Sequence, residues 1–266
     1  MSKFILIFAF FITPFWARGQ NEAPGGQKFS VGLKAGPSIS WLSFADDARA
    51  SLFGTEEKVG FFVGGVIQFP LKHNFTMATE FGYARSGRRI TFNDGTWENN
   101  ATYNFLDFSM LLRKSYAFKL KKDVYTAWFF NIGPNVKYWI SGKGEVKTRA
   151  LGQPYVVVFE GIPAADFTHN YVNEVNRWLF GLDLGIGIEG RINRNQRIFT
   201  EFRFNYGHTY FGKKNSTSHI ELLGFDDNLL ANMKTLSVNL TYFFDFDTRA
   251  SKMGKSTKDK EIKRKR

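Results

Sequence analysis

Chemistry on this chain would have to come from few residues. Four histidines are present, His73, His169, His208 and His219, and no cysteine. His208 and His219 flank one polar stretch, with Ser218 and Glu221 beside the latter. A hydrolase needs such a base, hydroxyl and carboxylate held together. The absence of cysteine excludes disulfides, zinc–thiolate sites and thiol nucleophiles. Asn93-Asp94-Gly95 reads as a turn, because further acidic ligands at regular spacing are missing. No phosphate-binding glycine loop or cluster of metal ligands stands out, so no cofactor is expected. Asn100-Ala101-Thr102 fits a glycosylation acceptor, a pattern that chance produces often.

A second set of charged residues has a regular placement. Lys34, Glu80, Asp107, Arg113, Lys137, Asp183, Glu189, Glu201 and Arg203 each fall on the polar face of a stretch that alternates polar and apolar residues. Side chains along a β-strand point to opposite faces in turn. Eight such stretches occur. Their apolar faces begin with Phe29, Val31, Leu33 and Ala35, then Phe61 to Phe69, Phe75 to Tyr83, and Leu106 to Leu112. They continue with Val124 to Tyr138, Trp178 to Ile188, Phe202 to Tyr206, and Leu236 to Phe246. The apolar faces are large and aromatic, and the polar faces carry charges and glycines. A soluble β-sandwich also alternates. The connections argue for a membrane barrel. Residues 70–74, 115–123 and 191–197 are short or moderate, whereas 41–58, 86–102, 141–177 and 211–233 are long and polar. Outer-membrane barrels have short periplasmic turns and longer external loops.

The expected fold is therefore all-β, an eight-stranded antiparallel up-and-down transmembrane β-barrel with long external loops. Both termini would be periplasmic, in the outer membrane of a Gram-negative bacterium. Within 141–177, Gly144–Arg149 and Pro154–Phe159 read as a projecting hairpin or as two further strands of a ten-stranded barrel. Thirty Phe, ten Tyr and six Trp suit such a protein. Trp97, Trp128, Trp139 and Trp178 are expected in an interfacial girdle.

The chain divides into three parts. Residues 1–19 read as a signal peptide: Lys3, a short apolar stretch, Pro14, then Ala17 and Gly19 at a cleavage site that leaves Gln20 first. The stretch is too short to span as a helix, and no cysteine follows for lipoprotein processing. Residues 20–246 form the barrel. Residues 247–266 hold nine Lys/Arg and three Asp/Glu, a basic periplasmic tail expected to be disordered. Much of the net charge of +12 sits there, so it is no argument for nucleic-acid binding. The tail could be a solvated extension, or bind an acidic periplasmic partner, a phospholipid headgroup or the cell wall.

An eight-stranded barrel is just wide enough for side chains to fill it. The nine charges could thus form a structural plug or line a narrow pore. The expected partners are outer-membrane lipids.

Val31-Gly32-Leu33-Lys34-Ala35-Gly36-Pro37, Leu106-Asp107-Phe108-Ser109-Met110-Leu111-Leu112 and Asn131-Ile132-Gly133-Pro134 resemble the PorT-like outer-membrane β-barrel family. The resemblance covers the barrel and not the loops. It implies an eight-stranded outer-membrane barrel, some members being accessory components of protein secretion and gliding machinery. Such barrels commonly end on an aromatic residue. Tyr242-Phe243-Phe244-Asp245-Phe246 could serve, yet the basic tail follows. Barrel lipid A deacylases match in size and strand count, but their His-x-Ser motif is absent: Thr209-Tyr210 follows His208. A non-enzymatic barrel, structural or accessory to a protein secretion assembly, is the leading reading. A narrow pore or small-ligand-binding barrel is the alternative, and a lipid A-modifying enzyme the third.

Overall fold

The computed structural model describes residues 28–247 except 46, 72, 93–94, 122–123, 160–168, 173–174, 194, 214–219, 224 and 228. The chain falls into two units, Phe29–Phe246 and the two chain ends. The expected signal peptide, residues 1–19, lies outside the described residues, as does the tail apart from Asp247.

Eight long strands form the first unit: β1 (Lys28–Phe44), β2 (Lys58–Pro70), β3 (Phe75–Phe92), β4 (Trp97–Lys121), β5 (Val124–Thr148), β6 (Trp178–Asn193), β7 (Gln196–Gly207) and β8 (Ala231–Asp247). Each pairs with its sequence neighbour, and β8 pairs with β1, so the sheet closes on itself as an antiparallel ring. Closure removes the exposed strand edges that an open sheet would leave unpaired.

Burial runs opposite to that of a soluble barrel. Lys34, Glu80, Glu201 and Asp183 are buried inside. Outside, Leu33 is 72% exposed and Ile186 52%, within a continuous belt that includes Phe61, Phe130, Phe180, Phe202 and Leu240. Monomeric soluble proteins rarely expose so large an apolar surface. Here the surrounding solvent is lipid. Aromatic pairs mark the rims of the belt: Tyr116 stacks on Trp128 at 4.5 Å, and Tyr138 lies 4.7 Å from Trp178. The strand from Trp128 to Tyr138 runs about 33 Å, which at the usual tilt of about 40° spans about 25 Å, the height of an outer-membrane apolar band.

Two strands overrun that height. β4 and β5 have 25 residues each, more than twice the 9–11 a bilayer needs. Most of their excess, from Tyr138 to Thr148 in β5, projects from one end. There Gly142–Lys147 pairs with Gly152–Val157, so this segment is a projecting hairpin and adds no strand to the ring. The expected long loop at 86–102 is also mostly strand: β3 runs to Phe92 and β4 starts at Trp97. Alternation failed to reveal it because both faces there meet water or protein, which removes the polar–apolar contrast. At the opposite end the turns are tight. His73 and Asn74 both take positive φ, 59° and 62°, the conformation that lets a short turn follow the twist of two strands.

Candidate functional site

The interior is built in layers. The central layer is ionic. Lys34 of β1 donates to both Glu80 oxygens at 3.0 Å and to Glu201 at 2.8 Å. Arg203 of β7 grips Glu80 with two parallel bonds, Nη1 at 2.7 Å and Nη2 at 2.8 Å, and donates from Nε to Glu201 at 2.6 Å. Charge-assisted forks of this kind are among the strongest polar contacts in proteins. Nη1 also lies 3.4 Å from Asp183.

Nearer the hairpin end, Lys137 stands 3.9 Å from Asp107 and donates to Asn205 at 2.8 Å. Asn135 donates to Asp107 at 2.6 Å, and Asn205 and Ser109 donate to Asp183 at 2.6 and 2.8 Å. With Arg113 the layers hold four cations (Lys34, Arg113, Lys137, Arg203) and four carboxylates (Glu80, Asp107, Asp183, Glu201). The balance matters, because an unpaired buried charge costs several kcal/mol. Glu189, the last of the nine, is held apart from them by Arg197 at 2.7 Å, near the short-turn end.

Glycines make the room. A Cβ on Gly185 would lie 2.2 Å from Asn131 Oδ1 and 2.6 Å from Glu201 Oε1. One on Gly187 would sit 2.5 Å from the Phe129 ring, and one on Gly32 2.7 Å from that of Phe243.

Apolar layers close the ionic layer on both sides. Toward the short turns, Phe129, Phe199 and Phe243 pack with Val66, Ala78 and Leu111. Arg113 lies 4.2 Å over Phe129 and 4.7 Å over Phe199, while Arg197 lies 5.2 Å from Phe199. Toward the hairpin, Tyr103, Trp139 and Phe211 form a triangle with centroids 4.8, 5.1 and 5.4 Å apart. Phe211 belongs to the connection after β7. Its N–H bonds to Ala231 O at 3.1 Å, which folds that connection into the mouth. Between the layers a cavity of about 40 Å³ touches Lys34, Asp107 and Arg203. That is space for a water or two, not for a hydrated ion.

The apolar layers were missed in the sequence, although Phe129, Phe199 and Phe243 occupy the parity of the polar faces. Trp139 and Trp97 also correct the expected girdle. Trp139 is fully buried in the lumen, and Trp97, further toward the hairpin tip, packs against the same cluster with its indole N–H on Leu223 O. Trp128 and Trp178 do face outward.

The hydrolase reading finds no assembled site among the described residues. His208 is exposed beside the mouth, and His73 sits on the opposite turn. Ser218 and His219 lie outside the described residues, as does the side chain of Glu221. No group of three or more potential metal ligands occurs among the described residues.

The profile of a family described as outer membrane protein beta-barrel domain matches residues 19–209. No curated protein sequence matches the chain. Among solved structures, the chain is similar to the attachment invasion locus protein Ail of Yersinia pestis, determined with the heparin analogue sucrose octasulfate (12% identity, 83% of this chain and 99% of that one, TM-score 0.34). It is also similar to OprG of Pseudomonas aeruginosa (8%, 84% and 97%, 0.43) and to Neisserial surface protein A (12%, 82% and 97%, 0.37).

Proposed function

This chain belongs to the outer membrane protein β-barrel domain family, and from that premise we propose that it is a non-enzymatic barrel with a closed lumen, structural in the membrane or accessory to a protein secretion assembly. The filled interior carries this reading: a charge-balanced ionic layer lies between two aromatic layers. A pore would leave a continuous polar path, and a ligand-binding barrel would leave a cavity. The tight turns then face the periplasm, the hairpin faces outward, and both termini are periplasmic, with residues 1–19 as the export signal. The basic tail at 247–266, periplasmic in this reading, would offer positive charge to an acidic periplasmic partner.

Planar-bilayer recording of the purified protein tests the closed lumen, with silence expected and a steady conductance ruling it out. The accessory role supports itself on the PorT-like resemblance of Val31–Pro37 and Leu106–Leu112. Its test is the secreted proteome of a clean deletion strain, where a defined set of exported proteins should disappear. An unchanged secretome removes that role and leaves the structural one.

A further inference from the structure

Above the hairpin-side rim of the lipid belt, the outer wall carries a basic groove. Strand parity puts Asn100, Thr102 and Asn104 of β4 on the outside, because Ala101, Tyr103 and Phe105 point inward and are buried. In register with them stand Arg85 and Gly87 of β3 and Ser141 and Lys143 of β5. Gly87 leaves the wall bare, and the stem of Lys58 lies across it: a Cβ there would be 2.7 Å from Lys58 Cδ. The Lys58 ammonium reaches Asn100. Lys58, Thr102, Lys143 and Val156 help line a groove of about 460 Å³. Lys58 and Lys143 thereby approach one space from strands about 14 Å apart, three strand spacings around the wall.

The charge of this groove is not neutralised from within. Arg85 and Lys143 make no ion pair among the described residues. Glu145, the acidic group in the lining, is taken by Lys147 at 3.2 Å. Arg89 is held by Glu56 and Glu98, each at 3.1 Å. Lys58 feels the surplus: burial, then the neighbouring Arg89 and Arg85, lower its pKa below the ordinary lysine value. Such a cluster stabilises a bound anion.

The groove also touches the lipid belt. Val59, next to Lys58, is 75% exposed, and Phe61 pairs with Arg85 one step below. Tyr83 lies 6.0 Å from Phe61 and donates to Asn104 at 2.6 Å, the posture of a tyrosine at an apolar–polar boundary. An anion held here would hang directly above acyl chains.

We propose that Lys58, Arg85 and Lys143 form a binding site for the phosphate of a phosphorylated glycolipid in the adjoining membrane leaflet. The proposal rests on the membrane-barrel reading above and adds a site to it. Lys58 and Lys143 hold the phosphate from two sides, Arg85 guards its lower edge, and Val59 and Phe61 accept the chains.

The test uses the full-length protein in detergent, with diphosphoryl lipid A and dephosphorylated lipid A as probes and the triple variant Lys58→Ala/Arg85→Ala/Lys143→Ala. The wild type should bind the phosphorylated probe at least tenfold more tightly than the dephosphorylated one. The triple variant should lose that preference, at about fivefold per cation removed. Lys234→Ala, a cation beside Tyr206 on another part of the rim, should retain it. Inorganic phosphate at millimolar concentration should not displace the lipid; displacement would make the site one for free phosphate and overturn the assignment. Equal binding of both probes by the wild type, or an undiminished preference in the triple variant, would also overturn it. Gel mobility with and without boiling is read on every sample. A heat-dependent shift in all of them keeps the barrel reading intact when the lipid result is negative, and its loss in the wild type would defeat the barrel reading itself.

Discussion

Removing the guanidinium of Arg203 gives the sharpest test of the ionic layer. In Arg203→Met the side chain keeps its bulk but loses two bonds to Glu80 and one to Glu201, at 2.7, 2.8 and 2.6 Å. Lys34 is left alone against two buried carboxylates, with Asp183 losing its contact as well. Breaking a buried ion pair from one side costs about 3–5 kcal/mol, because the remaining charge has no water to return to. We expect about 4 kcal/mol for Arg203→Met and about 3 for Glu80→Gln. The double variant removes one charge of each sign and should cost well below the sum of about 7, giving a coupling of at least about 1.5 kcal/mol. Urea titration of protein refolded into phosphatidylcholine vesicles, followed by tryptophan fluorescence, measures all three. Additivity to within about 0.5 kcal/mol would refute the idea that these groups act as one network. A cost below about 1 kcal/mol for Arg203→Met would show that water reaches the layer and solvates what is left.

Other substitutions separate lipid from water and space from charge. Ile186→Arg, on the belt, should destabilise by about 2–4 kcal/mol in vesicles. Leu151→Arg, 64% exposed on the hairpin, should change stability by less than about 0.5 kcal/mol; equal costs would mean the belt is misplaced. Gly185→Val should abolish the unboiled, fast-migrating gel form, since its Cβ would overlap Asn131 Oδ1. Trp139→Ala with Phe211→Ala opens the hairpin-side aromatic layer, and brief conductance events should replace silence in planar bilayers. Continued silence would place the barrier in the ionic or lower aromatic layer.

The eight strands are legible in the sequence because lipid on one side and polar groups on the other impose alternation. Where that contrast ends, so does the signal. Residues 86–102 lie above the belt, and Asn99 and Asn100 alternate inside and outside with no change in polarity. The lumen is only half legible. The charges from Lys34 to Arg203 stand out against apolar neighbours, whereas Phe129 and Phe199 merge into runs already rich in aromatics. Trp139 shows the same ambiguity. Its parity with Asn135 and Lys137 assigns it inward, but tryptophan near a strand end also suits an interface. One extra residue in β5, where Phe105 pairs with Trp139 and Asn104 with Ser141, then shifts the parity for the rest of the hairpin. No local sequence rule announces such a bulge.

The Arg197 cluster near the tight turns has a bearing on how the barrel is assembled. Arg197 holds Asp245 of β8 at 2.7 Å and Ser30 of β1 at 2.8 Å, and Ser30 donates to Asp245 across a separation of 215 residues. Every other junction of the ring joins consecutive strands, so the first and last strands meet only when the rest of the sheet has formed. Closing a loop of that length costs about 2 kcal/mol more chain entropy than closing one of twenty residues. The guanidinium acts as a latch on that final seam, placed where the two strands begin and end. It ties the one seam of the ring that no hairpin turn holds together.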